Sequence, residues 1–111
     1  MASLSPKRLH ELDVLYRRGL DAMHEQKSDE ALRYWEMVWS EAHDFQQVAD
    51  HLKREYLTRG MEAFAAGRLQ DAVSFWEKAI QVDPKDQRAR GYLDRAQKQL
   101  ERTRAILGTQ P

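Results

Sequence analysis

Side chains able to perform metal or acid–base chemistry are few in this chain, and they are scattered. The sequence holds four histidines and no cysteine. One histidine begins the run 24-HEQKS-28, which has the His-Glu pair of a metalloprotease helix but lacks its second histidine. Without cysteine there can be no thiolate metal ligand, disulfide or thiol nucleophile. We therefore expect no catalytic residue and no metal site.

Phosphate binding and carboxylate catalysis have no better support. The five glycines are isolated, so none lies in the Gly-rich turn that cradles a phosphate. Asp29 and Glu30 are adjacent, but both fall at the start of a predicted helix, where the helix dipole favours negative charge. We expect no cofactor, and an enzyme is the least favoured class of function.

Charge is balanced in the whole chain but uneven along it. Residues 1–50 carry ten acids and six bases, whereas residues 85–111 carry three acids and seven bases. Arg88, Arg95 and Arg102 mark a basic face on the last segment. This face is either the solvated side of a helix or a surface that binds an acidic partner. Zero net charge and the lack of interleaved aromatic residues argue against nucleic acid as that partner.

An internal repeat shows which elements position these side chains. Shifting the chain by 41 residues aligns 18-RGLDAMHEQKSDEALRYWEMV-38 with 59-RGMEAFAAGRLQDAVSFWEKA-79 without an insertion. Two copies of one supersecondary element are therefore present. The identical pairs are Arg18 and Arg59, Gly19 and Gly60, Ala22 and Ala63, Ala31 and Ala72, Trp35 and Trp76, and Glu36 and Glu77.

Each copy is predicted to form two helices. Ser5 and Pro6 indicate the start of the first helix, which we expect to run to about Gln26, and Ser28 is the expected N-cap of the second. In the second copy, Gly67 marks the break and Asp83-Pro84 the end. A fifth helix is predicted from Lys85 onward, with a weakly apolar stripe formed by Ala89, Tyr92 or Leu93, Ala96, Leu100 and Leu107.

Small residues and one very large residue recur together in these helices. Gly60, Ala63, Ala72 and Ala79 would let paired helices approach closely, and Trp76 would fill the wedge that remains. We expect Trp76 and its counterpart in the first copy to be buried.

This pattern resembles the tetratricopeptide repeat. Its signature matches Gly60, Gly67, Ala72, Ala79 and Asp83-Pro84 in the second copy, with Trp76 at a position that is usually aromatic. The first copy keeps Gly19, Ala31 and Trp35 but departs at Gln26 and at Ala42-His43, and the 41-residue offset exceeds the usual ~34. We interpret it as a degenerate repeat with a longer connection.

The resemblance covers about residues 12–96 and implies an all-α fold. Antiparallel helix hairpins would stack as a short α-solenoid of about five helices, forming a single domain over residues 1–111. Repeat one would span about residues 6–43, repeat two about 46–84, and a capping helix about 85–107.

In function, the resemblance implies a non-catalytic protein-interaction module or adaptor whose concave groove binds a partner helix or peptide. The expected groove residues are apolar, which argues against capture of a C-terminal carboxylate. The other interpretation is that these residues pack between helices. They are Tyr16, Leu20, Met23, Leu57, Met61 and Phe64.

Self-association is the alternative function, because two repeats and a cap bury little apolar surface. A homodimer would cover leftover apolar residues, which we expect near the longer connection at Trp39, Phe45 and Val48. No apolar run reaches the ~18 residues that span a bilayer, so we expect no membrane insertion. If the sequence is a whole protein, the lack of a secretory signal predicts a cytoplasmic location.

Overall fold

The structure is a computed structural model that describes residues 3–108. Within that range the chain is all-helical, with five helices and no strand, as predicted. Met1, Ala2 and residues 109–111, which the predicted domain includes, lie outside the described residues. The helices are α1 (Pro6–His24), α2 (Ser28–Glu41), α3 (Val48–Ala65), α4 (Leu69–Val82) and α5 (Gln87–Gly108).

The helix boundaries reproduce the 41-residue repeat of the sequence. Helices α2 and α4 both have 14 residues and begin 41 positions apart. Helix α1 starts as predicted, since the Ser5 side chain accepts a hydrogen bond from the Arg8 N–H at 3.1 Å. The predicted N-cap of α2 was wrong by one residue: Ser28 is already helical, and Lys27 occupies the cap position without a side-chain capping bond.

The turns inside the two hairpins have the same backbone geometry. Gln26 and Gly67 occupy equivalent positions and both have positive φ, 65° and 79°. In the first turn the Lys27 N–H donates to the Ala22 carbonyl at 2.8 Å, and the equivalent bond in the second turn is also 2.8 Å. A left-handed residue followed by a hydrogen bond that reaches back five residues is the Schellman motif, and it ends both helices. The missing glycine therefore does not change the first turn.

Two compact units make up the chain, one ending at Leu52 and the other beginning at Lys53. Each unit buries one tryptophan of the repeat, Trp35 in unit 1 and Trp76 in unit 2, as predicted. Unit 1 also buries large apolar side chains completely, whereas the completely buried residues of unit 2 are mostly alanines. Besides the tryptophans, the apolar side chains that are at most 1% exposed are Leu12, Ala31, Val38, Val48 and Leu52 in unit 1, and Ala72, Ala79, Ala89 and Ala96 in unit 2.

Candidate interaction surfaces

A close contact between a glycine and a tryptophan fixes the hairpin of unit 1. A Cβ atom placed on Gly19 would lie only 2.2 Å from the indole Nε1 of Trp35, so no other residue fits there without movement. The indole N–H donates a hydrogen bond to the Tyr16 carbonyl at 3.2 Å. Because this N–H is buried, losing its acceptor would be costly.

Unit 2 repeats the same contact 41 residues later. A Cβ on Gly60 would again lie 2.2 Å from the indole Nε1, here of Trp76. That indole donates to the Leu57 carbonyl at 3.3 Å. The predicted wedge of small residues and one tryptophan is therefore confirmed, and the first copy is not degenerate at this contact.

The same contacts place two of the six predicted groove residues inside the units. Tyr16 is 8% exposed and Leu57 is 9% exposed. The Tyr16 hydroxyl lies 3.2 Å from Nε2 of His51, and its ring meets Phe45 edge-on with centroids 6.2 Å apart. For Tyr16 and Leu57 the geometry therefore matches the packing interpretation, since neither offers much surface to a partner.

The other four groove residues reach the surface as two equivalent pairs. Leu20 is 38% exposed and Met61, its counterpart in unit 2, is 47% exposed. Met23 and Phe64 follow them by three residues and are half-buried. The Phe64 ring also packs against Trp76, with centroids 5.8 Å apart.

An aromatic contact that the sequence analysis missed extends the repeat into α5. His51 stacks on Trp35 with ring centroids 4.7 Å apart, and Tyr92 packs on Trp76 at 5.2 Å. His51 and Tyr92 are themselves 41 residues apart, so extending the alignment past Ala79 could have found this pair. Helix α5 also buries Ala89 as its stripe predicted, but Leu107, predicted in that stripe, is 64% exposed.

The residues predicted to be left over near the longer connection are used within unit 1. Val48 is buried, and Phe45 packs on Tyr16. Trp39 stacks on His43 with centroids 3.9 Å apart. These side chains are therefore poor candidates for a surface that a second copy would cover.

An ion-pair cluster joins the start of unit 2 to the segment between α4 and α5. Lys53 Nζ lies 2.8 Å from Asp83 Oδ2 and 3.1 Å from Asp86 Oδ2, and the Asp86 side chain is only 7% exposed. The Lys53 hydrogen bond lowers the pKa of Asp83, and Asp83 in turn raises the pKa of Lys53. The pKa of Asp86 is lowered first by the Ala89 N–H, which donates to its carboxylate at 2.9 Å.

Unit 1 has an exposed ion-pair cluster where α1 begins and α2 ends. The Arg8 guanidinium donates to Glu41 at 2.7 Å and to Glu11 at 2.6 Å. The bond to Glu41, followed by that to Glu11, raises the pKa of Arg8 above its usual value, and Arg8 lowers the pKa of Glu41. Because the groups are exposed, this cluster adds little to stability.

Two open cavities share Met37, which is 51% exposed, and the larger of them borders this cluster. Neither was predicted from the sequence. The larger, of about 370 Å³, is lined by Arg8, His10, Glu11, Val14, Leu15 and Met37. The smaller, of about 320 Å³, is lined by Glu30, Arg33, Tyr34 and Met37.

The predicted basic face lies on α5, where Arg88, Arg95 and Arg102 are all exposed. Arg88 is 3.6 Å from Asp86, whereas Arg95 and Arg102 have no ion-pair partner within residues 3–108. Across the described part of the chain, no three acidic or histidine side chains gather as a metal site would need. Nor does that part contain a helix with the length and apolar character to cross a membrane.

No known family model, curated protein or solved structure matches this chain. The resemblance to the tetratricopeptide repeat therefore stays a prediction from the quoted motifs.

Proposed function

We propose that this chain is a non-catalytic protein-interaction module that binds a helix or peptide of a partner protein through apolar side chains of α1 and α3. The carrying observation is the repeated exposure of Leu20 in unit 1 and Met61 in unit 2. One exposed apolar residue is normal on a protein surface. A large apolar side chain exposed at the same repeat position in both units is a patterned feature.

The apolar residues one turn earlier in each helix are not exposed. Tyr16 and Leu57, four residues earlier, are buried and serve the tryptophan contacts. Truncating Leu20 or Met61 would therefore remove little from either core. Each could instead contribute about 1.5–3 kcal/mol if a partner buried it.

Half-buried neighbours widen each contact surface. Met23 stands beside Leu20 in unit 1, and Phe64 stands beside Met61 in unit 2. Spacing of three residues puts each pair on one side of its helix, which suits the anchors of an amphipathic helix. Methionine in both pairs adds an adaptable side chain that tolerates different partners. The resemblance to tetratricopeptide repeats, whose first helices bind peptides, supports the same assignment.

A peptide selection tests this function without a known partner. A displayed library of random and helix-biased peptides would be selected on the wild-type chain, and the dissociation constants of recovered peptides measured by fluorescence anisotropy. We expect Leu20→Glu or Met61→Glu to weaken binding at least tenfold, about 1.4 kcal/mol. The matched control is Leu9→Glu, an exposed leucine of α1 outside both pairs, which should leave binding unchanged.

Thermal unfolding of each variant separates binding from packing. If Leu20→Glu or Met61→Glu unfolds the protein, these residues support the core and the proposal fails. If both variants stay folded and bind as the wild type does, the basic face of Arg88, Arg95 and Arg102 becomes the candidate. Binding there would weaken with added salt, whereas apolar binding would hardly change.

A further inference from the structure

The larger cavity of unit 1 lies at repeat positions where unit 2 has different side chains. Leu15 and Met37 border the larger cavity, and their counterparts 41 residues later are Tyr56 and Lys78. In unit 2 the Lys78 ammonium lies 5.8 Å above the Tyr56 ring, and Tyr56 is buried. Leu15 and Met37 cannot form that cation–ring contact, and the cavity that they border is open and mostly apolar.

We call this open region the Met37 surface, defined by Val14, Leu15, Tyr34 and Met37. Apolar atoms line most of the larger cavity, whose volume of about 370 Å³ lies in the range of binding pockets. At its rim one cation, Arg8, bonds two carboxylates, Glu11 and Glu41, which leaves an excess negative charge. An apolar ligand with a positive charge beside it would fit better than an anion.

The C-terminal half of α5 has that chemistry. Leu107 is the most exposed large apolar side chain described, and Ile106 beside it is nearly as exposed. Leu100 precedes Leu107 by seven residues, two helical turns or about 10.5 Å, and so lies on the same side of the helix. Arg95, Arg102 and Arg104 have no ion-pair partner within residues 3–108.

Unit 1 and the C-terminal half of α5 carry opposite net charges. Residues 1–52 carry ten acids and six bases, a net charge of −4. Residues 95–108 carry four bases and one acid, a net charge of +3. At the Met37 surface, Glu30 borders the smaller cavity and has no ion-pair partner among the residues described, although Arg33 lies beside it. The attraction should steer a basic helix toward unit 1 and weaken with salt.

We propose that copies of this chain associate head to tail, with the C-terminal half of α5 of one copy docked on the Met37 surface of another. Leu107 and Leu100 supply the apolar contacts, and Arg104, on the same side of the helix, faces the acidic unit. Such an interface joins two different surfaces. When two copies associate, one still has a free Met37 surface and the other still has a free α5. Association therefore continues into a ring or an open chain.

Mixing two complementary variants tests this arrangement. Met37→Glu removes the receiving surface, and Leu107→Glu removes the docking helix. The mass of each, alone and mixed, is measured by sedimentation equilibrium up to high micromolar concentration. The wild type should form oligomers that grow with concentration, and each variant alone should be a monomer. An equimolar mixture should give a heterodimer and nothing larger, because only one intact pair of surfaces remains.

Several outcomes would overturn the proposal. The wild type could remain monomeric at every concentration, or the mixture could remain monomeric. Equally, the Met37→Glu variant could still dimerise through α5 alone. Leu9→Glu is the control for adding a charge to an exposed apolar site, and it should leave association unchanged. If either glutamate variant does not fold, the triple reversal of Arg95, Arg102 and Arg104 to Glu replaces it. That triple variant should weaken association at least tenfold, and unchanged association would reject the proposal.

Discussion

Unit 1 and unit 2 have the same contact at their centres but differ at two other repeat positions. At both centres a tryptophan indole lies against a glycine. The indole N–H donates to the carbonyl of the residue three positions before that glycine. Elsewhere in the repeat, the fully buried Leu12 of unit 1 is replaced by Lys53 in unit 2, and the half-buried Phe45 by Asp86. We call Leu12 and Phe45 the apolar edge and Lys53 and Asp86 the ionic edge. The second helices of the two hairpins both have 14 residues. Close packing at the glycine demands identical residues, whereas the edge can be closed by either chemistry.

The largest expected effect tests whether the two centres are equivalent. Trp35→Ala and Trp76→Ala should each lower the free energy of unfolding by about 3–5 kcal/mol, because each leaves a large cavity. Urea denaturation followed by circular dichroism measures both. A loss below about 1 kcal/mol in either variant would contradict the close packing seen in that unit.

The next effect separates the two edges. Lys53→Met should cost about 1–3 kcal/mol, since it removes the cation nearest to both Asp83 and the largely buried Asp86 side chain and leaves Asp86 with only the more distant Arg88. Leu12→Met, the matched change in unit 1, should cost less than about 1.5 kcal/mol because it conserves volume. Urea denaturation at neutral pH compares the two variants. Equal losses would mean that the ionic edge contributes no more than ordinary packing.

The pH dependence of the same variants provides a second check. The pKa values of Asp83 and Asp86 are lowered in the fold, so their contribution is present above their unfolded pKa values and is lost as pH falls through the folded ones. The raised pKa of Lys53 acts in the opposite range, and its contribution is lost as pH rises through the folded value. Lys53→Met should therefore reduce the acid-induced loss of stability, whereas Leu12→Met should leave it unchanged.

The smallest effect concerns the hairpin turns. Gln26→Gly should stabilise the protein by about 0.5–1 kcal/mol, because glycine adopts positive φ without strain. Gly67→Gln should destabilise it by about 1 kcal/mol, since a side chain there meets open space but the backbone is strained. Thermal and urea unfolding would detect both changes. Changes of the same sign in both variants would show that the turns differ despite their matching geometry.

Sequence reasoning recovered the parts of the fold that depend on local pattern. The glycine and tryptophan positions identified the wedge because small and large residues must meet at a close helix crossing. Ser28 was misplaced because serine favours caps in general, whereas the equivalent Leu69 already begins a helix in the second copy. Comparing the two copies at that point would have given the right start.

The parts that were missed depend on contacts between distant residues. Lys53 and Asp83 are 30 residues apart, and nothing in their local sequence shows that they meet. The sequence left open whether Tyr16 and Leu57 line a groove or pack between helices, because an apolar arc shows which residues share a side of the helix but not how far packing extends across it. The Met37 surface was missed for the same reason, since it joins side chains of two helices.

The tryptophan contacts also give the chain optical reporters. Trp35 and Trp76 are buried, one in each unit, so their fluorescence should be blue-shifted and should change when the surrounding unit opens. Trp39 is half-exposed and stacked on an imidazole, which sets its emission apart. Chains that keep a single indole, with phenylalanine at the other two positions, would report on one unit at a time. Superimposed unfolding curves from Trp35 and Trp76 would reveal whether the two units melt together or in sequence.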